Sequence, residues 1–214
     1  MCFSSTASFA VSTTLLVGGV ATLKQVRKPS QIPFAAIPLI FAAQQFCEGI
    51  IWMSFSGEPY SQYGKTFSYL YLLFAQVIWP TWVPFSMLLL ENNKDRKRIL
   101  GIILAIGILV SINLAYRIIS YGAHASAGSH HIQYDFDLPF TPSYYTGLLY
   151  FAATVLSPLI SGVNKMWVVG FANLAAFLAA RLFFGESLIS VWCFFAAAIS
   201  ITTFYVMRTL AKKT

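Results

Sequence analysis

Apolar residues run along this chain in seven long blocks, at about 4–23, 33–55, 67–90, 99–121, 143–163, 166–184 and 187–207, with short polar gaps between them. Crossing a hydrocarbon layer of ~30 Å takes about 20 helical residues, so each block is of spanning length. Inside lipid every backbone N–H and C=O must be hydrogen-bonded within the segment, which makes a helix the expected form of each block. The pattern predicts an all-α, seven-transmembrane-helix bundle, a single integral membrane domain over residues 1–214 that leaves little chain for anything soluble.

Composition agrees: 57% of residues are hydrophobic and 10% charged, too apolar for an ordinary water-soluble domain. The net charge of +7 raises nucleic acid as a partner, but its distribution argues for no nucleic acid. Lys24, Arg27 and Lys28 follow the first block, Lys94, Arg96, Lys97 and Arg98 the third, Lys165 the fifth, and Arg208, Lys212 and Lys213 the seventh. The opposite set of gaps holds one basic residue, Lys65. Because cytoplasmic loops retain Lys and Arg, the asymmetry predicts an N-terminus outside and a C-terminus in the cytoplasm, with the basic loops against anionic membrane lipids. A cleaved signal peptide carries its basic residues before the apolar core; here they come after it, so the first block is expected to be an uncleaved span.

Three features bear on packing. Ser5, Ser8, Ser12 and Gly19 form a small-residue stripe on the first block, suited to close approach of a neighbouring helix. Pro33, Pro38, Pro80, Pro84 and Pro158 fall inside blocks, where a proline kinks the helix and frees carbonyls that neighbours must satisfy. The gap at 122–142 is long for a helix connection and is expected to lie over the outer mouth of the bundle. No internal repeat of the kind found in duplicated transporters is evident.

The candidate chemistry is intramembrane. Glu48, Arg117 and Arg181 are charged residues within blocks, accompanied by Gln44, Gln45, Asn113 and Asn173. Such groups are costly in lipid and normally face a bundle interior. Helical spacing aligns Gln44, Glu48 and Trp52, then Asn113 and Arg117, then Asn173, Phe177 and Arg181, while Tyr150, Thr154, Ser190 and Cys193 come from the fifth and seventh blocks. Counting from block midpoints puts Glu48, Arg117, Arg181 and Cys193 in the outer half, which predicts a polar pocket open toward the exterior. Two arginines against one glutamate leave a positive surplus, so the expected small-molecule ligand is anionic or zwitterionic. The alternative is a buried Glu48–arginine pair with amides that only join helices, as in a structural or assembly subunit. A homo-oligomer or a membrane-protein partner stays open.

Two cofactors are disfavoured. A retinal Schiff base needs a membrane-embedded lysine, and all eight lysines lie in loops, tails or block ends. Haem needs axial ligands on facing helices, and the only histidines share one loop. Those histidines, His124, His130 and His131, together with Asp135 and Cys2, have donor types suited to Zn or Cu, although their spacing matches no metal signature. His131 and Asp135 share a face only if that segment is helical. A metal there would make the chain a membrane-embedded hydrolase of lipid amides or esters, the rival to binding or transport. Cys47 and Cys193 fall within blocks, and the odd total of three cysteines gives no disulfide framework.

Met1-Cys2-Phe3-Ser4, Gln44-Gln45 with Glu48-Gly49 and Trp52, Trp79-Pro80, and Ser190-Val191-Trp192-Cys193-Phe194-Phe195 resemble the segments of a bacterial family of uncharacterised membrane proteins that begin Met-Cys-Phe-Ser. The resemblance implies a bacterial plasma (inner) membrane setting and draws attention to Cys2, Glu48 and Cys193. It brings no activity or cofactor with it.

Overall fold

A computed structural model describes residues 4–57, 59–128, 131–137, 144–183 and 188–212. The described chain is mostly helical. Among the described residues, five helices are long and apolar enough to cross a membrane: α1 (Ser5–Leu23), α2 (Pro29–Ser54), α3 (Ser61–Leu90), α4 (Lys94–Tyr121) and α6 (Met166–Phe183). Within the described residues the fifth and seventh blocks are shorter elements. α5 covers Tyr144–Ile160, and the last block is divided at Ile199 into α7 (Leu188–Ala198) and α8 (Ser200–Ala211).

α2 is the central element, with 67% of its most apolar stretch buried against 28–39% for the other four long helices. It packs on α1, α3, α7 and α8, while α3, α4, α5, α6 and α7 follow one another around it. The α1 contact uses the expected small stripe. Ser8, Ser12 and Gly19 are buried, and the Ser12 hydroxyl donates to the Ala42 carbonyl at 2.8 Å. Outward faces carry large apolar side chains, with Val17, Leu109, Ile119 and Ile201 66–80% exposed. An apolar surface of that kind is what a lipid solvent requires.

Prolines set the shape of α3 and α5. A π-helical turn at Leu73–Ile78 precedes Pro80, and another at Ala152–Leu156 precedes Pro158. The wider turn and the missing proline N–H release carbonyls from the helical ladder. Neighbouring side chains then take them up. Tyr150 donates to the Ala75 carbonyl at 2.5 Å, Ser111 to that of Val77 at 2.7 Å, and Asn173 to that of Thr154 at 3.0 Å. The last of these is the carbonyl that Pro158 cannot bond.

At the end carrying the basic loops, Glu91 terminates α3 and joins two connections. Its Oε1 accepts from the backbone of Asn92 and Asn93, each at 3.0 Å, and its Oε2 from Gly162 N at 2.6 Å and Ser161 Oγ at 3.3 Å. Burial pushes the Glu91 carboxyl up, but the donors from Asn93, Gly162, Asn92 and Ser161 together outweigh it and hold the pKa below the ordinary 4.5. A depressed carboxylate contributes stability that is complete above its unfolded value and disappears as pH falls through the folded one. Glu91→Ala is therefore expected to cost about 1–2 kcal/mol at neutral pH by removing the acceptor of four part-buried hydrogen bonds. The difference from wild type should shrink as pH falls below the ordinary 4.5 in detergent-solubilised unfolding titrations. A gap that persists at low pH contradicts the assignment.

The opposite end departs from an all-α reading. Within the 122–142 connection, β1 (Ala123–Ala127) and β2 (Ile132–Phe136) form an antiparallel hairpin with His124 opposite Asp135 and Ala125 opposite Tyr134. Gly122, at φ +80, turns the chain from α4 into β1. Ile132 and Tyr134 point inward while Asp135 is exposed, the alternation a strand requires. Tyr134 stacks on Tyr71 of α3 at 4.9 Å between ring centroids, and the hairpin lies over α3 and α7.

Candidate functional site

The inward face of α2 carries Gln44, Gln45 and Glu48, all with 0% of their surface exposed. Their spacing puts them on adjoining turns of the helix that other helices surround. Ser190 Oγ of α7 donates to Glu48 Oε1 at 2.6 Å, and Gln45 Nε2 to Glu48 Oε2 at 3.1 Å. Trp79 Nε1 of α3 donates to Gln44 Oε1 at 2.7 Å. Three helices are joined in one polar layer. Cys193, one turn beyond Ser190, is buried against Gln44 and Tyr71, with Glu48 and Tyr150 close by.

The layer is not saturated. Among the described residues Gln44 Nε2, Gln45 Oε1 and Trp52 Nε1 are buried without a hydrogen bond. Each unmatched group costs roughly 1–3 kcal/mol, and native interiors leave few. Gln44, Gln45 and Trp52 place three such groups within about two turns of α2.

Beside it, toward the basic loops, lies a cavity of about 50 Å³. At ~10–15 Å³ per water this holds roughly three to five waters or one compact molecule. Its walls carry the rings of Phe41, Trp79, Tyr150 and Trp192, and Cys193 connects it to the layer. Polar groups on the wall are largely committed to the protein. Asn173 Oδ1 accepts from Trp192 Nε1 at 3.1 Å while its amide holds the Thr154 carbonyl, and Thr154 Oγ1 donates to the Tyr150 carbonyl at 2.9 Å. An occupant therefore meets aromatic faces and the thiol more than free donors.

The predicted site residues divide. Gln44, Gln45, Glu48, Ser190 and Cys193 come together in the layer, and Asn173 reaches the cavity wall. Asn113 and Arg181 are exposed, and Arg117 is half-buried on α4, which packs chiefly on α3 and α5 rather than α2. The buried line of α4 runs through Leu100, Ile103, Gly107, Val110, Ser111 and Ile118, and Asn113 falls on its other side. These three residues do not build the expected cationic chamber. The aromatic cavity lies on the side of the layer toward the basic loops, away from the hairpin and the Tyr71–Tyr134 stack.

The metal candidates also separate. His124 Nε2 pairs with Asp137 Oδ2 at 2.9 Å, Asp135 accepts from Gln133, and His131 is on a strand-bearing segment where it cannot share a helical face with Asp135. Among the described residues no three His, Cys, Asp or Glu converge as a metal site requires. Cys2 and His130 lie outside the described residues. Phe41 and Tyr71 gave no sequence signal, since an aromatic inside an apolar block reads as core.

A family model matches residues 1–214. The chain belongs to DUF6629, a family of unknown function. No curated protein and no solved structure matches it. The family assignment adds no ligand or reaction, so the geometry carries the functional argument alone.

Proposed function

We propose that this member of the family is a multi-pass plasma-membrane protein of bacteria, with seven crossings, its N-terminus outside and its C-terminus cytoplasmic, that binds or transports a small ligand within the bundle. In this arrangement the divided last block makes the seventh crossing and α5 the fifth. The observation that carries the reading is the unsaturated layer of Gln44, Gln45 and Glu48 beside an aromatic cavity, with Cys193 facing both.

The ligand class differs from the anion that arginine counting favours. With Arg181 exposed and Arg117 on a helix one removed, positive charge is not gathered at the cavity. Four aromatic rings beside a buried glutamate suit a compact organic cation, attracted by ring faces and by a carboxylate. Tetramethylammonium is the probe of choice, and tert-butanol its neutral comparator of similar size. Tetramethylammonium should raise the unfolding temperature of purified protein, as any ligand specific to the folded state does. Thr154→Trp, which fills the cavity, should remove the response. Absence of a shift in wild type, or a shift that survives Thr154→Trp, counts against the reading.

A second reading has one specific support. Asn113 is exposed midway along α4 among Leu109, Ile112 and Tyr116. An amide facing lipid gains about 0.6–2 kcal/mol from a partner helix, which favours a membrane-protein partner or a second copy on that face.

A further inference from the structure

Lys65 lies where two cavities meet. On one side of it, α3 and α4 enclose an apolar groove of about 480 Å³ lined by Lys65, Leu70, Leu73, Val77, Ile118 and Ile119 among others. On the other side, the end of α2, the start of α3 and β1 form a cleft of about 250 Å³ that includes Ser54, Ser61, Lys65, Ser68 and His124. Helical geometry explains the division. At ~100° per residue, Tyr69, Leu73 and Val77 turn to one side of Lys65, and Ser61, Gly64 and Ser68 to the other.

The dimensions match one molecule. From Lys65 to Val77 is twelve residues, roughly 18 Å at ~1.5 Å each. Half of a hydrocarbon core is about 15 Å. The groove thus has the length of one leaflet, with an ammonium at its headgroup end. Lys65 makes no ion pair among the described residues, and it is the one lysine or arginine in the gaps between blocks on this side. In the cleft, Ser54 Oγ donates to the Ile51 carbonyl and Ser68 Oγ to that of Gly64, both at 2.7 Å. Their protons are used but their lone pairs can still accept, so the cleft suits a headgroup that donates. At its rim the Asp137 carboxylate is occupied by His124 at 2.9 Å.

We propose that groove and cleft together bind one acidic glycerophospholipid of the phosphatidylglycerol type: an acyl chain along α3 and α4, the phosphate on Lys65, and the headgroup hydroxyls toward Ser54 and Ser68. This rests on the membrane reading above but not on the ligand cavity. If the protein purifies as a folded species without detergent, the membrane reading itself has failed.

The test is native mass spectrometry of protein equilibrated with equal amounts of phosphatidylglycerol and phosphatidylcholine of matched chains. Wild type should retain phosphatidylglycerol preferentially, and Lys65→Gln should lower that retention at least fivefold. Leu73→Trp, which obstructs the groove, should do the same with helical content unchanged. Lys97→Gln, at the opposite end, should behave as wild type. Equal retention of the two lipids by wild type, no effect of Lys65→Gln, or an equal loss in Lys97→Gln would overturn the proposal. Displacement of the lipid by millimolar glycerol phosphate would overturn the role of the groove. Equal retention of phosphatidylethanolamine would overturn the assignment of a hydroxyl-bearing headgroup.

Discussion

Gly107→Val is expected to destabilise the protein by about 3 kcal/mol or more and to separate α3 from α4. A side chain at Gly107 would run into the main-chain carbonyl of Pro80, with Ala153 of α5 also in contact range at 3.5 Å. Pro84 has no N–H to bond that carbonyl, so α3 turns an unladdered backbone oxygen toward a neighbour that has only hydrogen to offer. Overpacking typically costs about 1–3 kcal/mol when side chains can shift, and here the obstructing atoms are backbone. Gly101 is the internal control. It lies nearly two turns earlier on the same helix, and a methyl group added there would have nothing within 4 Å. Gly101→Ala should leave stability unchanged or raise it by about 0.5–1 kcal/mol, because alanine restricts the unfolded chain. Unfolding midpoints of the two variants in one detergent provide the comparison, and a Gly107→Val protein as stable as wild type would contradict the packing described.

The second large effect separates stability from binding at Glu48. Glu48→Ala removes the acceptor for both Ser190 Oγ and Gln45 Nε2 in a fully buried layer. Two stranded donors at ~1–3 kcal/mol each, with a void beside them, give an expected loss of about 3–5 kcal/mol. Glu48→Gln keeps the volume and one carbonyl oxygen, so it should cost about 1–2 kcal/mol and remain folded. Its effect should appear in ligand preference instead. Tetramethylammonium affinity should fall at least tenfold, equivalent to ~1.4 kcal/mol, while the response to tert-butanol is unchanged. Equal losses for both probes would mean that Glu48 only supports the cavity.

The five long helices follow from block length and the scarcity of internal charge, and the capture of proline-released carbonyls follows from chemistry that any intramembrane proline imposes. Glu48, Ser190 and Cys193 could be brought together from depth alone, since α2 and α7 both traverse the bundle. Asn113 could not be oriented in that way. α4 is apolar nearly all round, so its sequence has no amphipathic phase to say which face is buried. Depth gave Arg117 and Arg181 a common level and no information about azimuth, and one turned half out and the other fully. The hairpin was concealed by a Gly-, Ala-, Ser- and His-rich connection, although Ile132-Gln133-Tyr134-Asp135-Phe136 alternates as a strand does. The break at Ile199 carries neither proline nor glycine and leaves no local mark.

Whether the unsatisfied amides and the aromatic cavity hold a ligand is tested most directly by a high-resolution density map of the protein in lipid nanodiscs. Compact non-protein density bounded by Trp79, Tyr150 and Trp192, extending past Cys193 toward the Gln44 amide, is the predicted result. A cavity closed by rearranged side chains, with Gln44 and Gln45 bonded entirely to protein, would contradict it.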